Sequence, residues 1–528
     1  MSVSTKHPQY VSMEYSWMAL RDAYTGSAAV KGAMDYRYGS DRGRYAGTAY
    51  LPVPTGMNAE QYGAYRDRAS WLGATEHAVH GLSGAAFRRD PVVTVPAVLE
   101  PQLLDITQTG MPLRAFAEHV VAETLLMGRY GVLLDFPPEG EDLSGVMEVP
   151  GVIPAPLVDP RPYWIGYQAE EIYNWRTRYW AGKTILTLVV LRECVPVVHA
   201  VWPSDDFFKV EEQTQYRVLR LDEAGEYEVS LWWEAPQRHA IAPPPVLIRA
   251  WKPRREDRPL TAIPFRFFGP GSLIRFYGQG NLEPSVQKSL MEPVVEKNYL
   301  NYRHSADKEH GLHMLIPTAY VCSNSEPPAE PLTRGATIAW WIADNQAKVG
   351  ELKGPDSLAE HDKAMAEDKQ DMALFTARLL ESTPLVPETA TQVRVRTAGS
   401  DSPMQGLLRT VSEGLTQTLQ LHAWWNGSVE RVDDPSISVV LNSDLLASTM
   451  DPQTLTALTS ALLQHTISYE TYWYNLQQGE IARPLVTAEE EQELIDLRRE
   501  QQALAFPPLV VRPGQGPPVP AGQNGRAG

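Results

Sequence analysis

One long amphipathic helix is the feature of this sequence that most restricts its fold. Ser402 is a favourable N-cap, Pro403 suits the first helical position, and Gln405 completes a capping box. An apolar stripe follows at helical spacing, formed by Leu408, Val411, Leu415 and Leu419. Asn426-Gly427 is a stop signal. The pattern predicts a helix of about seven turns, roughly 35 Å long at 1.5 Å per residue.

The segment before this helix has a different character. Residues 384–402 are polar and rich in Thr, and Arg394 and Arg396 alternate along them. Nothing in this segment forms an apolar pattern that could pack against a core. We therefore interpret it as an exposed loop that the capped helix holds in place.

Composition narrows the classes of function. The 528 residues are 43% hydrophobic and 9% aromatic, which is typical of a globular protein with two to four structural regions. The formal net charge is -17, with 64 acidic and 47 basic residues, which argues against tight binding of nucleic acid through its phosphates. Cys194 and Cys322 are far apart and form no CxxC pair, so we expect a reducing environment and no disulfides.

The sequence also lacks targeting and membrane signals. The N-terminus has no basic region followed by an apolar core, so it does not resemble a signal peptide. The best apolar run, residues 184–202, is interrupted by Arg192, Glu193 and Pro196. We expect a soluble protein that is made and used on the cytoplasmic side of any membrane.

The order of patterns predicts an α+β chain. Residues 58–87 have helical character, and residues 112–136 pass from a helix through Gly128 into a short strand. Residues 184–268 alternate as strands, with a hairpin at 222–225.

Two further helices are expected beyond this β region. The first spans residues 281–307 with an interruption at Pro293, and short strands and turns follow over 310–354. The second spans 356–381 and carries a narrow stripe, which is Leu358, Met365, Met372 and Leu379, beside a column formed by Ala359, Ala366, Ala373 and Leu380. Such a stripe is typical of a helix in a packed ring or coiled coil, and an ordinary surface helix is an equal alternative.

The C-terminal part is predicted to be helical. A short strand at 436–442 precedes two helices and a third helix with a capping box from Thr487 to Glu490. The Pro-rich residues from 507 onward cannot build a core, and we expect a disordered tail.

Catalytic motifs are absent from the sequence. There is no phosphate-binding GxxxxGK[ST], no GxGxxG after a strand, no GxSxG and no HExxH.

His304, Asp307 and His310 have a spacing that metal ligands can use, but Gly311 is expected to end the helix before His313 joins them. We favour a solvated helix face here, and a metal-dependent hydrolase that uses these three residues is the alternative function. No cofactor is expected.

Three tryptophan pairs offer aromatic surface: Trp232-Trp233, Trp340-Trp341 and Trp424-Trp425. Neighbouring residues of a strand face opposite sides, so one member of each pair is expected in the core and the other at an interface. Subunit contact is favoured over ligand stacking because aromatic residues are common at such contacts.

The order of these elements resembles that of the portal proteins of tailed bacteriophages. The resemblance is closest to a subgroup of portal-like proteins long catalogued as a domain of unknown function, and it covers residues 10–497. The segments that carry it are YSWMALRDAYTGSAAVKG, YLP, HGLSGAAFRRDPVV, LLMGRYGVLLDFP, ETATQVRVR and LLRTVSEGLTQTLQLHAWWNG.

The resemblance implies a portal-like α+β fold with a defined order of parts. These are a mixed α/β wing at 1–280, stem helices at 281–307 and 356–381, a small α/β clip at 308–355, a tunnel loop at 382–402, a long helix with a return strand at 403–450, an α-helical crown at 451–504 and a Pro/Gly-rich tail at 505–528.

The resemblance also implies a function without catalysis. Portal proteins of this kind form a dodecameric ring at one capsid vertex, part of the head–tail connector of the virion, and conduct double-stranded DNA during genome packaging and ejection. The implied partners are other copies of the chain, the large terminase, a head-completion or adaptor protein, the major capsid or scaffolding protein, and DNA without sequence specificity. No membrane is involved, and assembly would take place in the host bacterial cytoplasm.

Individual residues can be placed within this scheme. The residues expected to face the DNA channel are Thr391, Gln392, Arg394, Arg396 and Thr397, and those expected on the clip surface toward terminase or adaptor are Glu326, Glu330, Trp340 and Trp341. The two loop arginines could touch phosphates one at a time. Salt bridges to a neighbouring subunit are an equal alternative for them.

Overall fold

The structure is a computed structural model. It describes residues 3–32, 50–136, 161–180, 182–198, 210–233, 245–256, 258–271, 274–277, 281–314, 318–324, 326, 344, 346–352, 358–380, 402–443, 445, 452–464, 466–478, 481–482 and 486–505. The chain divides into two compact units, Met1–Leu445 and Leu446–Gly528. Helices and mainly antiparallel strands occupy separate stretches of the chain, so the predicted α+β class is confirmed.

Helices dominate the start of the first unit. They are α1 (Pro8–Thr25), α2 (Ser27–Val30), α3 (Ala59–Arg68), α4 (Ala74–Ala86) and α5 (Leu113–Met127). Local sequence sets two of their ends. Asn58 and Gln61 form a reciprocal capping box at the start of α3. Gly128 ends α5 with φ +70°, and a Cβ there would lie 2.5 Å from the carbonyl oxygen of Gln287, so only glycine fits.

The strands of this unit form several antiparallel sheets. The strands are β1 (Val92–Thr94), β2 (Tyr130–Asp135), β3 (Tyr163–Gln168), β4 (Ile172–Trp180), β5 (Lys183–Val198), β6 (Val210–Leu221), β7 (Tyr227–Trp233), β8 (Val246–Trp251), β9 (Arg254–Arg255), β10 (Arg258–Pro259), β11 (Phe265–Phe268), β12 (Ile274–Tyr277) and β13 (Asn281–Pro284). One sheet has the order β11-β2-β3, and a larger one has the order β4-β5-β6-β7-β8. The predicted hairpin at 222–225 joins β6 to β7, where Asp222 accepts hydrogen bonds from the backbone N–H groups of Ala224 and Glu226.

A buried ionic network joins these two sheets. Arg217 on β6 donates to Asp135 on β2 at 2.9 Å and to Glu193 on β5 at 2.7 Å, and the hydroxyl of Tyr167 on β3 donates to Glu193 at 2.6 Å. Burial raises the pKa of Asp135, and the Arg217 charge opposes that rise. Asp135 therefore acts as a structural contact between the sheets.

Three long helices and three short strands are the other α-helices and strands that the structure describes in the first unit. They are α6 (Glu292–Met314), β14 (Thr318–Cys322), β15 (Lys348–Leu352), α7 (Ala359–Leu380), α8 (Pro403–Trp425) and β16 (Ser438–Val440). β14 pairs with β15, and β16 pairs with β1.

The prediction of a helix over 281–307 was wrong at both ends. Residues 281–284 form β13, which pairs with β12, and α6 begins only at Glu292. Pro293 therefore lies in the first turn, where its missing N–H costs no hydrogen bond, and does not interrupt the helix. At the other end α6 runs through Gly311 to Met314, so the first residues assigned to the clip are helical.

Three helices lie in the part of the second unit that the structure describes: α9 (Pro452–Leu463), α10 (Tyr469–Gln478) and α11 (Ala488–Ala505). The predicted capping box is confirmed, since Thr487 Oγ1 accepts from the N–H of Glu490 at 3.2 Å and Glu490 accepts from the N–H of Thr487 at 2.9 Å. Trp473 on α10 donates to the carbonyl oxygen of Val486, which holds α10 against the start of α11. Across both units, no described helix has the length and apolar character needed to cross a membrane.

Candidate functional site

The most distinctive surface of the first unit is built on the pair of helices α6 and α7. Lys297 pairs with Asp371 at 2.7 Å, and Lys308 pairs with Asp362 at 2.7 Å. Because residue numbers rise along α6 as they fall along α7, the two helices are antiparallel. The 23 residues of α6 and the 22 of α7 thus form one long helical hairpin.

Packing between the two helices uses the narrow stripe that the sequence predicted. Met372 and Leu379 on α7 are buried, and the amide nitrogen of the Asn301 side chain on α6 donates to the carbonyl oxygen of Met365 at 3.2 Å. Ala366 and Ala373, from the neighbouring column, are exposed. Helix α7 therefore buries Met372 and Leu379 against its own chain and leaves Ala366 and Ala373 exposed. Leu358 and Met365 from the same stripe are half-buried, and Leu380 from the neighbouring column packs against the core.

Glycine permits a close approach of the two helices at one end of the pair. A Cβ at Gly311 on α6 would lie 2.7 Å from a methyl group of Leu358, immediately before α7. Gly311 was expected to end the helix, but its role is to make room for Leu358. The sequence could not show this because a glycine inside a helix and a glycine after a helix look alike until the partner is known.

Charged residues form a ladder along the same pair. Asp368 on α7 is 3% exposed and lies 2.9 Å from Nδ1 of His304 and 3.9 Å from Nζ of Lys297. Its carboxyl group therefore contacts two side chains of α6. The hydrogen bond to Asp371 raises the pKa of Lys297, and the hydrogen bond to Asp362 raises the pKa of Lys308.

The three residues considered as metal ligands have separate structural contacts. His304 contacts Asp368, and Asp307 accepts a hydrogen bond from the hydroxyl of Tyr65 at 2.6 Å. The ring of His310 meets the ring of Tyr65 edge-on at 5.5 Å. Within the described ranges, no three His, Cys, Asp or Glu side chains converge as a metal site would require.

A two-stranded ribbon lies between α6 and α7 in the chain. Asp344 connects the residues that follow β14 with those that precede β15. Its carboxylate accepts hydrogen bonds from the hydroxyl of Ser323 at 2.9 Å and from the N–H of Gln346 at 2.8 Å. Tyr320 and Val349 on the ribbon are exposed apolar residues. Of the four residues predicted on the clip surface, Glu326 is described and is exposed, while Glu330, Trp340 and Trp341 lie outside the described residues.

Helix α8 begins as predicted. Ser402 Oγ accepts from the N–H of Gln405 at 3.2 Å, and Gln405 accepts in return from the N–H of Ser402. The predicted stripe, Leu408, Val411, Leu415 and Leu419, is buried, and Gly427 follows the helix with φ +75°. The predicted channel residues Thr391, Gln392, Arg394, Arg396 and Thr397 precede Ser402 in the chain and lie outside the described residues.

The two tryptophans at the end of α8 contact their own chain. Trp425 is buried and donates to the carbonyl oxygen of Arg254, and the guanidinium of Arg255 lies 4.4 Å from the ring centre of Trp424. The strand alternation expected for tryptophan pairs does not apply on a helix. On strand β7 it does apply, because Trp232 packs against the core and Trp233 is 39% exposed.

Side-chain hydroxyls attach strand β16 to α8. Thr416 Oγ1 accepts from the N–H of Val439 at 2.9 Å and donates to its carbonyl oxygen at 3.1 Å, and Ser412 Oγ accepts from the N–H of Leu441 at 3.0 Å. The helix thus replaces a neighbouring strand. Sequence reasoning missed this contact, although Ser412, Thr416 and Gln420 recur every four residues along one face.

One protein-family model matches part of this chain. A family model described as "Domain of unknown function (DUF4055)" matches residues 291–426, which cover α6, the ribbon, α7 and α8 and amount to less than half of the chain. No curated protein matches the chain in sequence.

Among solved structures, the chain is similar to particle components of gene transfer agents. It matches a chain from "Neck of native GTA particle computed with C12 symmetry" with 13% identity and a TM-score of 0.34, over 83% of this chain and 99% of that one. It matches a chain from "Neck of empty GTA particle computed with C6 symmetry" with 11% identity and a TM-score of 0.36, over 81% and 96%. A chain from "Virion of native gene transfer agent (GTA) particle" gives 13% identity and a TM-score of 0.33, over 81% and 96%.

Proposed function

We propose that this chain is a structural protein of a phage-like particle, and specifically the portal subunit that forms a ring at one capsid vertex and conducts double-stranded DNA. The observation that carries the proposal is the antiparallel hairpin of α6 and α7, interrupted by a short β ribbon and followed by the capped helix α8. In this proposal the hairpin is the stem, the ribbon belongs to the clip, and the protein has no catalysis of its own.

The exposed face of α7 supports contact with a second copy. Its residues at alternating spacings of four and three are Ala359, Lys363, Ala366, Gln370, Ala373 and Ala377, and all six are exposed. An average spacing of 3.5 is the repeat with which helices pack side by side over long distances, and alanines allow their backbones to come close. A second copy of the chain would cover this column, as a ring of stems requires.

The ribbon supports the same arrangement. A two-stranded ribbon in water is marginally stable by itself, and Tyr320 and Val349 leave apolar surface uncovered. Neighbouring subunits, terminase or an adaptor protein would supply the missing contacts in the assembled particle. The capsid or scaffolding protein would contact other parts of the ring.

In this proposal, the conduction of DNA depends on the net charge of the chain and on the rigid attachment of the loop that precedes α8. The first turn of α8 is fixed by its capping box, and Met404 and Leu407 are buried there. Arg394 and Arg396 would approach phosphates from this rigid support. The net charge of -17 would keep DNA from binding tightly elsewhere, so the duplex could slide.

The experiment that tests the proposal is the native mass of the purified chain together with negative-stain images. We expect rings of about twelve copies with a central hole. The double variant Ala366→Glu/Ala373→Glu should lose the rings while it keeps its circular dichroism spectrum, because both positions are exposed and glutamate favours helix.

A matched control is Ala59→Glu, an exposed alanine in the first turn of α3, which should leave the rings intact. A wild-type chain that remains monomeric at high concentration and in the presence of capsid and scaffolding protein would refute the portal role.

A further inference from the structure

Helix α11 in the second unit exposes two leucines to solvent. Leu494 is 43% exposed and Leu497 is 53% exposed, and they share one face because residues three positions apart are neighbours on a helix. A different face, with Ala488, Glu491 and Ile495 half-buried, makes the contacts within the chain. The described part of the chain therefore leaves an apolar stripe of α11 uncovered.

One charge of each sign flanks this stripe. Glu493 precedes Leu494 and Arg498 follows Leu497, and both charged side chains are exposed. Neither of them forms an ion pair within the described ranges. If the two leucines are positions a and d of a heptad, Glu493 lies at g and Arg498 at e. Charges at e and g are those that select the partner and the direction of a packed helix.

The other e and g positions of α11 do not bring like charges together. In two parallel helices, a g residue is opposite the e residue that comes five positions later in the neighbouring helix. This register sets residue type Val486 against Glu491 and residue type Glu500 against Ala505. The one pair in which both residues are charged is therefore the pair of opposite sign.

Cyclic symmetry fits the directions in which these two charges point. In a ring of about twelve copies, a rotation of about 30° relates neighbours, so their α11 helices run in the same direction. For helices along the ring axis, the two neighbours of each copy lie about 150° apart. With 3.6 residues per turn, Glu493 and Arg498 project about 140° apart from the axis of α11. Each charge therefore points toward a different neighbour.

We propose that α11 of each copy packs in parallel against α11 of the next copy, with Glu493 facing Arg498 across the contact and the leucines between them. A two-fold pair of antiparallel helices would instead set g against g, where α11 has glutamates. A contact between two different flanks of identical helices continues from copy to copy and closes as a ring. The inference rests on the proposed ring and adds a lateral contact in the second unit.

Charge reversal with rescue in the same full-length chain tests this contact. Glu493→Arg alone and Arg498→Glu alone each set like charges together at both neighbours of every copy. The exposed face of α7 is unchanged, so rings should still form but dissociate at about tenfold higher protein concentration than wild-type rings. The double variant Glu493→Arg/Arg498→Glu restores opposite charges and should return the midpoint to within about twofold of the wild type. Native mass across a dilution series at low salt measures these midpoints.

The matched control is Glu470→Arg, which makes the same change of charge as Glu493→Arg at an exposed glutamate in the first turn of α10. Its rings should dissociate at the wild-type concentration, and every variant should keep the wild-type circular dichroism spectrum. Equal midpoints for the wild type and both single variants would overturn the α11 contact and leave the portal proposal standing. Weakened rings that the double variant fails to restore would also overturn it. A wild-type chain that forms no ring would remove both proposals.

Discussion

Glu171 is a carboxyl group whose pKa lies near neutral pH. It lies beside Glu170, whose carboxylate shares the Arg21 guanidinium with Glu123, with N–O distances of 2.9 Å to Glu170 and 2.7 Å to Glu123. Burial, assisted by the Glu170 charge, raises the pKa of Glu171 from an ordinary value of 4.5 to about 7.

This shift predicts the sign of a pH effect on stability. The folded state holds a proton on Glu171 that the unfolded state has released, so stability falls as pH rises from 4.5 to 7. Glu171→Gln keeps an acceptor for the N–H of Gln168 and removes the charge. We expect the variant to gain about 1–2 kcal/mol at pH 8 and nothing at pH 4.5. Urea unfolding across this range measures it, and Glu60→Gln, at an exposed site, should run parallel to the wild type.

Predictions for single residues were confirmed where the hydrogen-bond partner lies close in the sequence. Ser402 with Gln405 and Thr487 with Glu490 are three residues apart, so their capping bonds could be read directly. His304 and Asp307 could not be assigned in this way. Their partners lie 64 and 242 residues away, and no local pattern shows which side chain the fold brings there.

At the level of elements, helix α8 was predictable because its stripe, cap and stop signal agree with one another. Its close neighbours were not predictable. A Cβ at Gly414 would lie 2.5 Å from the ring of Phe268, which is buried on β11, whereas a Cβ at Gly406 on the same helix would meet no atom within 4 Å. The two glycines therefore have opposite roles that the sequence does not distinguish.

These two glycines give a matched pair of substitutions within one helix. Gly406→Ala should stabilise the protein by about 0.5–1 kcal/mol through the lower backbone entropy of the unfolded chain. Gly414→Ala should destabilise it by about 1–3 kcal/mol, because the ring of Phe268 has no room to move. Thermal or urea unfolding of both variants checks the difference. Equal and stabilising effects would show that β11 can move away from α8.

At the level of the whole molecule, the surfaces that the portal proposal assigns to contact between copies belong to the first compact unit, whereas α11 belongs to the second. The exposed face of α7 lies between residues 359 and 377, and the ribbon of β14 and β15 lies between residues 318 and 352. The α+β class of the chain could be predicted from the order of its helices and strands. The groove that Tyr15 on α1 and Glu296 on α6 help to line could not be predicted, since these two residues come together only in the folded chain.

The division into two units leads to a prediction for a truncated chain. A protein ending at Leu445 should keep a cooperative unfolding transition, because the described residues of its core cluster lie within Met1–Leu445. It should also assemble into rings of the same diameter as the full chain, because it retains the exposed face of α7 and the ribbon. Native mass and negative-stain images of both proteins decide this. A folded but monomeric truncated chain beside ring-forming full-length protein would assign the decisive lateral contact to the helices of the second unit.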